Sequence, residues 1–121
     1  MMEDGRPIFL QIAELIENSI IDGSLGEEHQ VPSTNELAAF HRINPATAAK
    51  GINQLVAEGT LYKKRGIGMF VSAGAAAQLR DRRRQQFATS YVEPLLAEAR
   101  KLGLGASEVK AMIDTHAEVQ A

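Results

Sequence analysis

Apolar residues recur every three or four positions near the start of the chain, as they do on one face of an α-helix. The residues with this spacing are Ile8, Ile12, Leu15, Ile16 and Ile20. Pro7 suits the first turn of such a helix, and Gly23 suits the position just after its end. The pattern therefore predicts a first helix between these two residues. The segment from Ser24 to Val31 has no sustained period and is predicted to be a loop with room for a short strand at its end.

A capping box predicts the second helix. Ser33 and Glu36 are three positions apart, and at this spacing each side chain can bond the exposed backbone N–H of the other at a helix start. The predicted helix is short, from about Thr34 to Phe40.

A second start signal follows after three residues. Asn44 suits an N-cap and Pro45 the first helical position. The apolar face of the helix that follows, which ends at Gly59, consists of Ala48, Ile52, Leu55 and Val56. Two short helices joined by three or four residues are typical of a helix-turn-helix unit, whose second helix can enter the major groove of DNA.

The next segment predicts a two-stranded hairpin with a cationic tip. Leu61 and Tyr62 open a β-type stretch, and the segment from Met69 to Val71 closes it. The turn between them is basic and contains glycine, with Lys63, Lys64, Arg65 and Gly66 in sequence.

From Ala73 onward the composition shifts to good helix formers, mainly Ala, Arg, Gln and Leu. Pro94 predicts a kink or a new helix start near Tyr91. Gly103 and Gly105 predict a turn, and a last short amphipathic helix follows it. One interpretation of the four arginines at positions 80 and 82–84 is contact with nucleic acid. A solvated or intersubunit helix face explains them at least as well, because nearly consecutive residues point all around a helix.

Composition excludes several classes of function. The 121 residues include no cysteine and no tryptophan, and 5% are aromatic, so thiol chemistry and an aromatic-lined cofactor cavity are excluded. The three histidines do not have metal-ligand spacings, and no nucleophile elbow is present. We expect no enzyme activity, no cofactor, no metal and no membrane span, and we expect a cytoplasmic protein.

Charge is distributed unevenly along the chain. Residues 1–30 hold one Arg against seven acids, residues 31–72 hold five Lys or Arg against two acids, and the remainder hold seven against six. The formal net charge of −2 therefore hides a local basic region over the predicted helix-turn-helix and hairpin. A local excess of cations is typical of a nucleic-acid contact surface.

The segment from about residue 6 to residue 72 resembles the DNA-binding domain of the GntR family of bacterial transcription regulators. The resemblance lies in PS-x-x-ELA from Pro32 to Ala38, in NPAT from Asn44 to Thr47, and in the stretch L-x-x-EG to RGIGMFV that ends at Val71. The NP start and the short C-terminal half, which reads YVEPLLAEARKLGL, are similar to the YtrA subfamily.

The resemblance implies a mainly α fold with a small β hairpin. A winged helix-turn-helix domain over residues 6–73 would be followed by a short α-helical dimerisation arm over residues 74–121. The expected core of the domain is Ile12, Leu15, Ile16, Leu37, Ile43, Ile52, Leu55 and Val71. The expected function is a repressor that binds an inverted-repeat operator in double-stranded DNA as a homodimer. The alternative is a winged-helix module that binds protein or RNA, although such a module would be expected to replace the cationic wing with apolar surface.

The resemblance places the DNA contacts on the starts of both helices and on the wing. Together with the cationic hairpin tip, the candidates are Ser33, Thr34, Asn35, Asn44, Ala46, Thr47, Lys50, Lys63, Lys64, Arg65 and Gly66. The alternatives without DNA contact are a solvated helix face for Thr47 and Lys50 and edge-protecting charges for the hairpin lysines.

Four departures from the family pattern bear on these expectations. Asn35 and Pro45 stand where many members have arginines, so base readout is expected to rest more on Thr47 and Lys50. His41 stands at a usual Leu position. Glu27 and Glu28 replace a usual Pro-Gly, and Gly51 replaces a common Ala at a cost of about 0.5–1 kcal/mol in a helix interior.

Dimer contacts are expected from the arm, because two helices alone cannot enclose its apolar residues. These are Phe87, Tyr91, Leu95, Leu96, Leu102, Val109, Met112 and Ile113. The arm is too short to form a separate ligand domain. A small-molecule effector, if one exists, is therefore expected at a dimer interface or beside the wing.

Overall fold

A computed structural model describes residues 5–120, so that Ala121, the last residue of the predicted arm, lies outside the described part. The elements follow the chain as α1 (Ile8–Ile21), α2 (Thr34–His41), α3 (Pro45–Ala57), β1 (Leu61–Lys64), β2 (Gly68–Val71), α4 (Ala75–Phe87), a π-helical segment (Ala88–Val92), α5 (Glu93–Lys101) and α6 (Ala106–Gln120). The chain divides into two compact units, one ending at Asp81 and the other beginning at Arg82. The predicted fold class, mainly helical with one antiparallel hairpin, is confirmed.

The core of the first unit lies between α1, α2, α3 and the hairpin. Six of the eight predicted core residues are buried, and the two exceptions are Leu15 and Ile43. Leu15 is 40% exposed because it lies about 100° around α1 from the centre of the stripe formed by Ile12, Ile16 and Ile20. Ile43 is half-buried against the edge of the core.

Both predicted caps are present. The Ser33 hydroxyl accepts a hydrogen bond from the Glu36 N–H at 3.1 Å, and the Glu36 carboxylate accepts one from the Ser33 N–H at 2.9 Å. The Asn44 side-chain oxygen accepts the Ala46 N–H at 2.7 Å. Between the two helices, Arg42 adopts a left-handed conformation with φ 56° and its N–H bonds the Ala38 carbonyl, which closes α2 and lets the chain turn into α3.

Helices α1 and α3 pack against each other at Gly51. A Cβ at this position would lie 2.7 Å from the Phe9 carbonyl oxygen and 3.0 Å from Cγ2 of Ile12. Only a residue without a side chain fits there, so Gly51 is a close-approach glycine rather than merely a weak helix former. This contact places α3 against α1.

The hairpin pairs Leu61 with Val71 and Lys64 with Gly68. The loop after α1 runs along its second strand, as the sequence allowed. The Glu28 and Val31 N–H groups donate to the Val71 and Met69 carbonyls, at 2.8 and 2.9 Å. Loop residues therefore cover the edge of β2 that would otherwise be unpaired.

The first turns of α4 belong to the core of the first unit. Ala75 and Leu79 are 1% and 2% exposed within that core. The compact unit thus runs past the predicted domain boundary at residue 73, because the shift in composition marks where α4 begins and not where the core ends.

The second unit begins within α4 and continues through the π-helical segment, α5 and α6. The π-helical segment ends at Val92, and Pro94 lies in the first turn of α5, as the predicted new start near Tyr91 requires. Ala99 and Val109 are buried between α5 and α6. Across residues 5–120 we find no helix long and apolar enough to cross a membrane.

Candidate nucleic-acid interface

The first part of the candidate interface is the N-terminal turn of α2. Ser33 and Asn35 are exposed and Thr34 is half-buried. The Ser33 hydroxyl accepts the capping bond from the Glu36 N–H, and its O–H faces the Glu36 carboxylate. Two hydrogen bonds lower the pKa of Glu36. The bond from the Ser33 backbone N–H contributes more to this shift than the bond from the Ser33 side chain. The turn therefore carries a carboxylate at neutral pH, and this carboxylate fixes its shape.

The second part is the start of α3. Asn44, Ala46 and Lys50 are exposed and Thr47 is half-buried. Because the Asn44 oxygen is occupied by the cap, its amide N–H groups are what it can present outward. Ala48, Ile52 and Leu55 are buried, and by the helical period Ala46 and Lys50 lie on the opposite side of α3.

The third part is the tip of the hairpin. Lys63, Lys64, Arg65 and Gly66 are all exposed. Gly66 has φ 77°, a conformation that glycine adopts without strain, and the Ile67 N–H donates to the Lys64 carbonyl at 2.9 Å to close the turn. The tip thus places three cations on a narrow projection, a shape suited to phosphate contact.

The tip is fastened by contacts that the sequence analysis missed. The Gln30 side-chain amide donates to the Ile67 carbonyl at 3.0 Å. A Cβ on Gly68 would lie 2.5 Å from the Gln30 amide nitrogen, so Gly68 makes room for this bond. The two partners are 37 positions apart, and no local sequence signal pairs them.

A second fastening lies at the base of the hairpin. The Tyr62 hydroxyl donates to the Glu28 carboxylate at 3.1 Å, and the Tyr62 ring stacks on Phe70 at 6.0 Å between centroids. Burial raises the pKa of Tyr62, with further contributions from the Glu28 hydrogen bond and charge, so the hydroxyl remains a donor at neutral pH. Glu28 itself has φ 66°, the left-handed region that favours glycine.

The arginines of α4 do not act as one group. Arg80 belongs to the first unit and donates to the Ile21 carbonyl at 2.8 Å, which ties α4 to the end of α1. The other three arginines belong to the second unit. Among residues 5–120 no group of three or more His, Asp or Glu side chains could hold a metal ion.

All eleven predicted contact residues therefore lie in the first unit, on three elements that share one core. Helices α2 and α3 pack together, and α3 also contacts β1. The contacts with DNA themselves stay a prediction.

A sequence model described as bacterial regulatory proteins, gntR family, matches residues 9–71, about half of the chain. The HTH-type transcriptional repressor YtrA of Bacillus subtilis is 32% identical over 62% of this chain and 58% of its own length. The chain spans 25% to 29% of the length of other curated relatives named as repressors.

Solved structures give the same family. The crystal structure of a transcriptional regulator of the GntR family from Bacteroides thetaiotaomicron has a TM-score of 0.74 and is 32% identical, covering 94% of this chain and 99% of that one. The structure of AraR(DBD) in complex with operator ORX1 has a TM-score of 0.54 and is 32% identical, covering 60% of this chain and 87% of that one.

Proposed function

The chain belongs to the gntR family of bacterial regulatory proteins, and we propose that it represses transcription in the cytoplasm by binding an inverted-repeat operator as a homodimer. It is a DNA-binding transcription regulator and not an enzyme. The observation that carries the proposal is that the segment matched by the family holds α1, both helices of the helix-turn-helix and the cationic hairpin in one core.

The surface chemistry supports DNA over a protein partner. The hairpin tip is exposed and cationic, and no described residue forms an ion pair with Lys63 or Arg65. Free ammonium and guanidinium groups on a projection neutralise phosphates and release counterions. Thr47 at the start of α3 presents a methyl and a hydroxyl, which suit contact with base edges in the major groove.

The exposed apolar surface of the second unit supports the proposed dimer. Within the second unit, α5 and α6 form an open groove of about 230 Å³. Its rim is apolar, with Leu102 at 64%, Ile113 at 53% and Met112 at 49% exposure. Exposed apolar side chains in such a patch are stabilised when a partner covers them. A second copy related by a two-fold axis would also match the symmetry of an inverted-repeat operator. Of the other predicted arm residues, Val109 is buried and Leu96 half-buried within the unit, while Phe87, Tyr91 and Leu95 are exposed.

The direct test is selection of the preferred duplex from a random library, followed by binding measurements over a range of salt. We expect a site with dyad symmetry. Lys63→Ala and Arg65→Ala should each weaken binding to every duplex and lower the log–log salt slope by about 0.9 for each phosphate that the variant no longer neutralises. A selected site without a dyad contradicts dimeric binding, and unchanged slopes in both variants contradict a DNA-contacting wing.

Base readout is tested on the same selected duplex. Thr47→Ala should reduce the preference for it over random DNA by about 1–3 kcal/mol, while binding to random DNA changes less. Preference that survives the change would move readout to Ser33, Thr34 and Asn35.

The dimer is tested on the full chain. Ile113→Asp puts a charge on the groove rim and should convert a dimer to a monomer in sedimentation at micromolar concentration. Val119→Asp puts the same charge on α6 at a residue that does not line the groove and should leave the dimer intact. Circular dichroism checks that α6 remains helical in both variants. A dimeric Ile113→Asp protein would contradict the arm as the dimer contact.

A further inference from the structure

Lys50 is not extended freely from α3. Its ammonium nitrogen lies 4.1 Å from the centroid of the Phe9 ring, well inside the range of a cation–π contact. Phe9 lies in the first turn of α1 and is half-buried. The contact therefore joins the exposed side of α3 to the start of a different helix.

The backbone that carries the Phe9 ring is held in place. The Phe9 carbonyl oxygen packs against Gly51 with no room for a Cβ, so the backbone of α1 cannot shift away from α3 without breaking this packing. The Gln11 side chain donates to the Arg6 carbonyl at 3.0 Å, which holds the segment before the helix, and Ile12 is fully buried. A lysine on a fixed ring loses less side-chain freedom when it binds a ligand.

The position over α1 determines which part of DNA the ammonium meets. A major groove about 12 Å wide admits one helix, and two packed helices have axes about 8–10 Å apart. If α3 lies in the groove, a cation held over α1 beside it reaches the wall of the groove. The wall is the sugar–phosphate backbone, which positions a protein but carries no base sequence.

The hairpin repeats this arrangement. The Lys64 ammonium lies 4.3 Å from the centroid of the Phe70 ring, whereas Lys63 and Arg65 have no ring contact among the described residues. One lysine of α3 thus holds its ammonium over a ring of α1, and one lysine of the hairpin holds its ammonium over a ring of β2.

We propose that Phe9 is a positioning residue that holds Lys50 for a DNA phosphate, so that Lys50 contributes affinity for any duplex and no base readout. The inference rests on the proposed DNA-binding function. It also replaces the expectation from the sequence that Lys50 shares base readout with Thr47.

The experiment measures binding of the full chain to the selected duplex and to a random-sequence duplex, at about 50 and about 200 mM salt. Lys50→Met keeps the stem and removes the charge. It should weaken binding to both duplexes by the same factor, and the drop in affinity between the two salt concentrations should shrink by about 3.5-fold, one phosphate at a slope of about 0.9. Lys110→Met, an exposed lysine of α6, is the control and should leave the slope unchanged.

The role of Phe9 is tested in the wild-type protein and in the Lys50→Met variant. Phe9→Leu should weaken binding to both duplexes by about two- to tenfold, the entropic cost of ordering a free lysine side chain, and Phe9→Tyr should retain wild-type binding. In the Lys50→Met background Phe9→Leu should have no further effect. Urea unfolding establishes that each Phe9 variant is folded, and Lys50→Met tests the phosphate assignment independently of them.

Four results would overturn the inference. A Lys50→Met protein that loses affinity for the selected duplex alone makes Lys50 a base reader. Equal effects of Phe9→Leu with and without Lys50 show that the ring does not act through the lysine. Wild-type protein that binds neither duplex removes the proposed function as well, whereas binding that depends on Lys63 and Arg65 but not on Lys50 overturns this inference only.

Discussion

Replacing Gly51 with alanine improves helix propensity but worsens packing. The structure indicates which of the two effects determines the change in the free energy of unfolding. Alanine in the middle of a helix is more favourable than glycine by about 0.5–1 kcal/mol. The new methyl would, however, lie 2.7 Å from the Phe9 carbonyl oxygen and 3.1 Å from Cβ of Ile12. The first neighbour is backbone and the second is a buried branched carbon, so neither can move aside as a flexible side chain would.

Overpacking of this kind typically costs about 1–3 kcal/mol. After the gain in propensity is subtracted, Gly51→Ala should destabilise the chain by up to about 2.5 kcal/mol. The measurement is the free energy of unfolding from urea titrations followed by circular dichroism. Ala49→Gly in the same helix is the control, because it makes the reverse change at a half-buried position and should cost at least the propensity difference of about 0.5–1 kcal/mol.

A Gly51→Ala protein that is more stable than the wild type would refute the close approach of α1 and α3. The same variant bears on DNA binding, since separating the two helices would also move Phe9 from beneath Lys50. We therefore expect its affinity for random duplex to fall together with its stability.

Two further predictions concern the loop and the caps. Glu28→Gly and Glu28→Ala both remove the hydrogen bond to Tyr62, but only Glu28→Gly relieves the left-handed backbone at φ 66°. The glycine variant should therefore be more stable than the alanine variant by about 1–2 kcal/mol; equal stabilities of the two variants in urea would contradict this. The pKa of Glu36 is lowered in the folded chain, so its contribution is present above its ordinary value of 4.5 and is lost as pH falls through the folded value. The free energy of unfolding of Glu36→Gln should therefore fall less steeply below about pH 4.5 than that of the wild type. If the two proteins lose stability identically with pH, the Glu36 cap is not the source of the acid sensitivity.

The local features of the first unit were predictable because each depends on neighbours in sequence. The capping box, the Asn44 cap and the turn at Gly66 involve residues at most three positions apart. The new helix start at Pro94 was predictable for the same reason.

Long-range contacts were not predictable from one sequence. Nothing near Gln30 indicates that its amide bonds the carbonyl of Ile67, and the pairing of Glu28 with Tyr62 joins residues 34 positions apart. Composition likewise marked the start of α4 but could not show that Leu79 completes the core. Gly51 shows the difference between the two kinds of information. Its unfavourable helix propensity can be read from the sequence, but the need for glycine comes from the Phe9 carbonyl of another helix.

The acidic residues of the first unit explain how a chain of net charge −2 can present a cationic surface. Glu36 accepts the Ser33 N–H that starts α2, Glu28 accepts the Tyr62 hydroxyl of β1, and Glu27 accepts the Gly74 N–H just after the hairpin. Two of these carboxylates, those of Glu36 and Glu28, are thus bonded to groups of α2 and of the hairpin. Among the described residues, none of the cations at the hairpin tip or over Phe9 forms an ion pair with these carboxylates. Because phosphate attraction depends on local charge and falls off over about 8–10 Å at physiological salt, the distribution of charge matters more for DNA binding than its total.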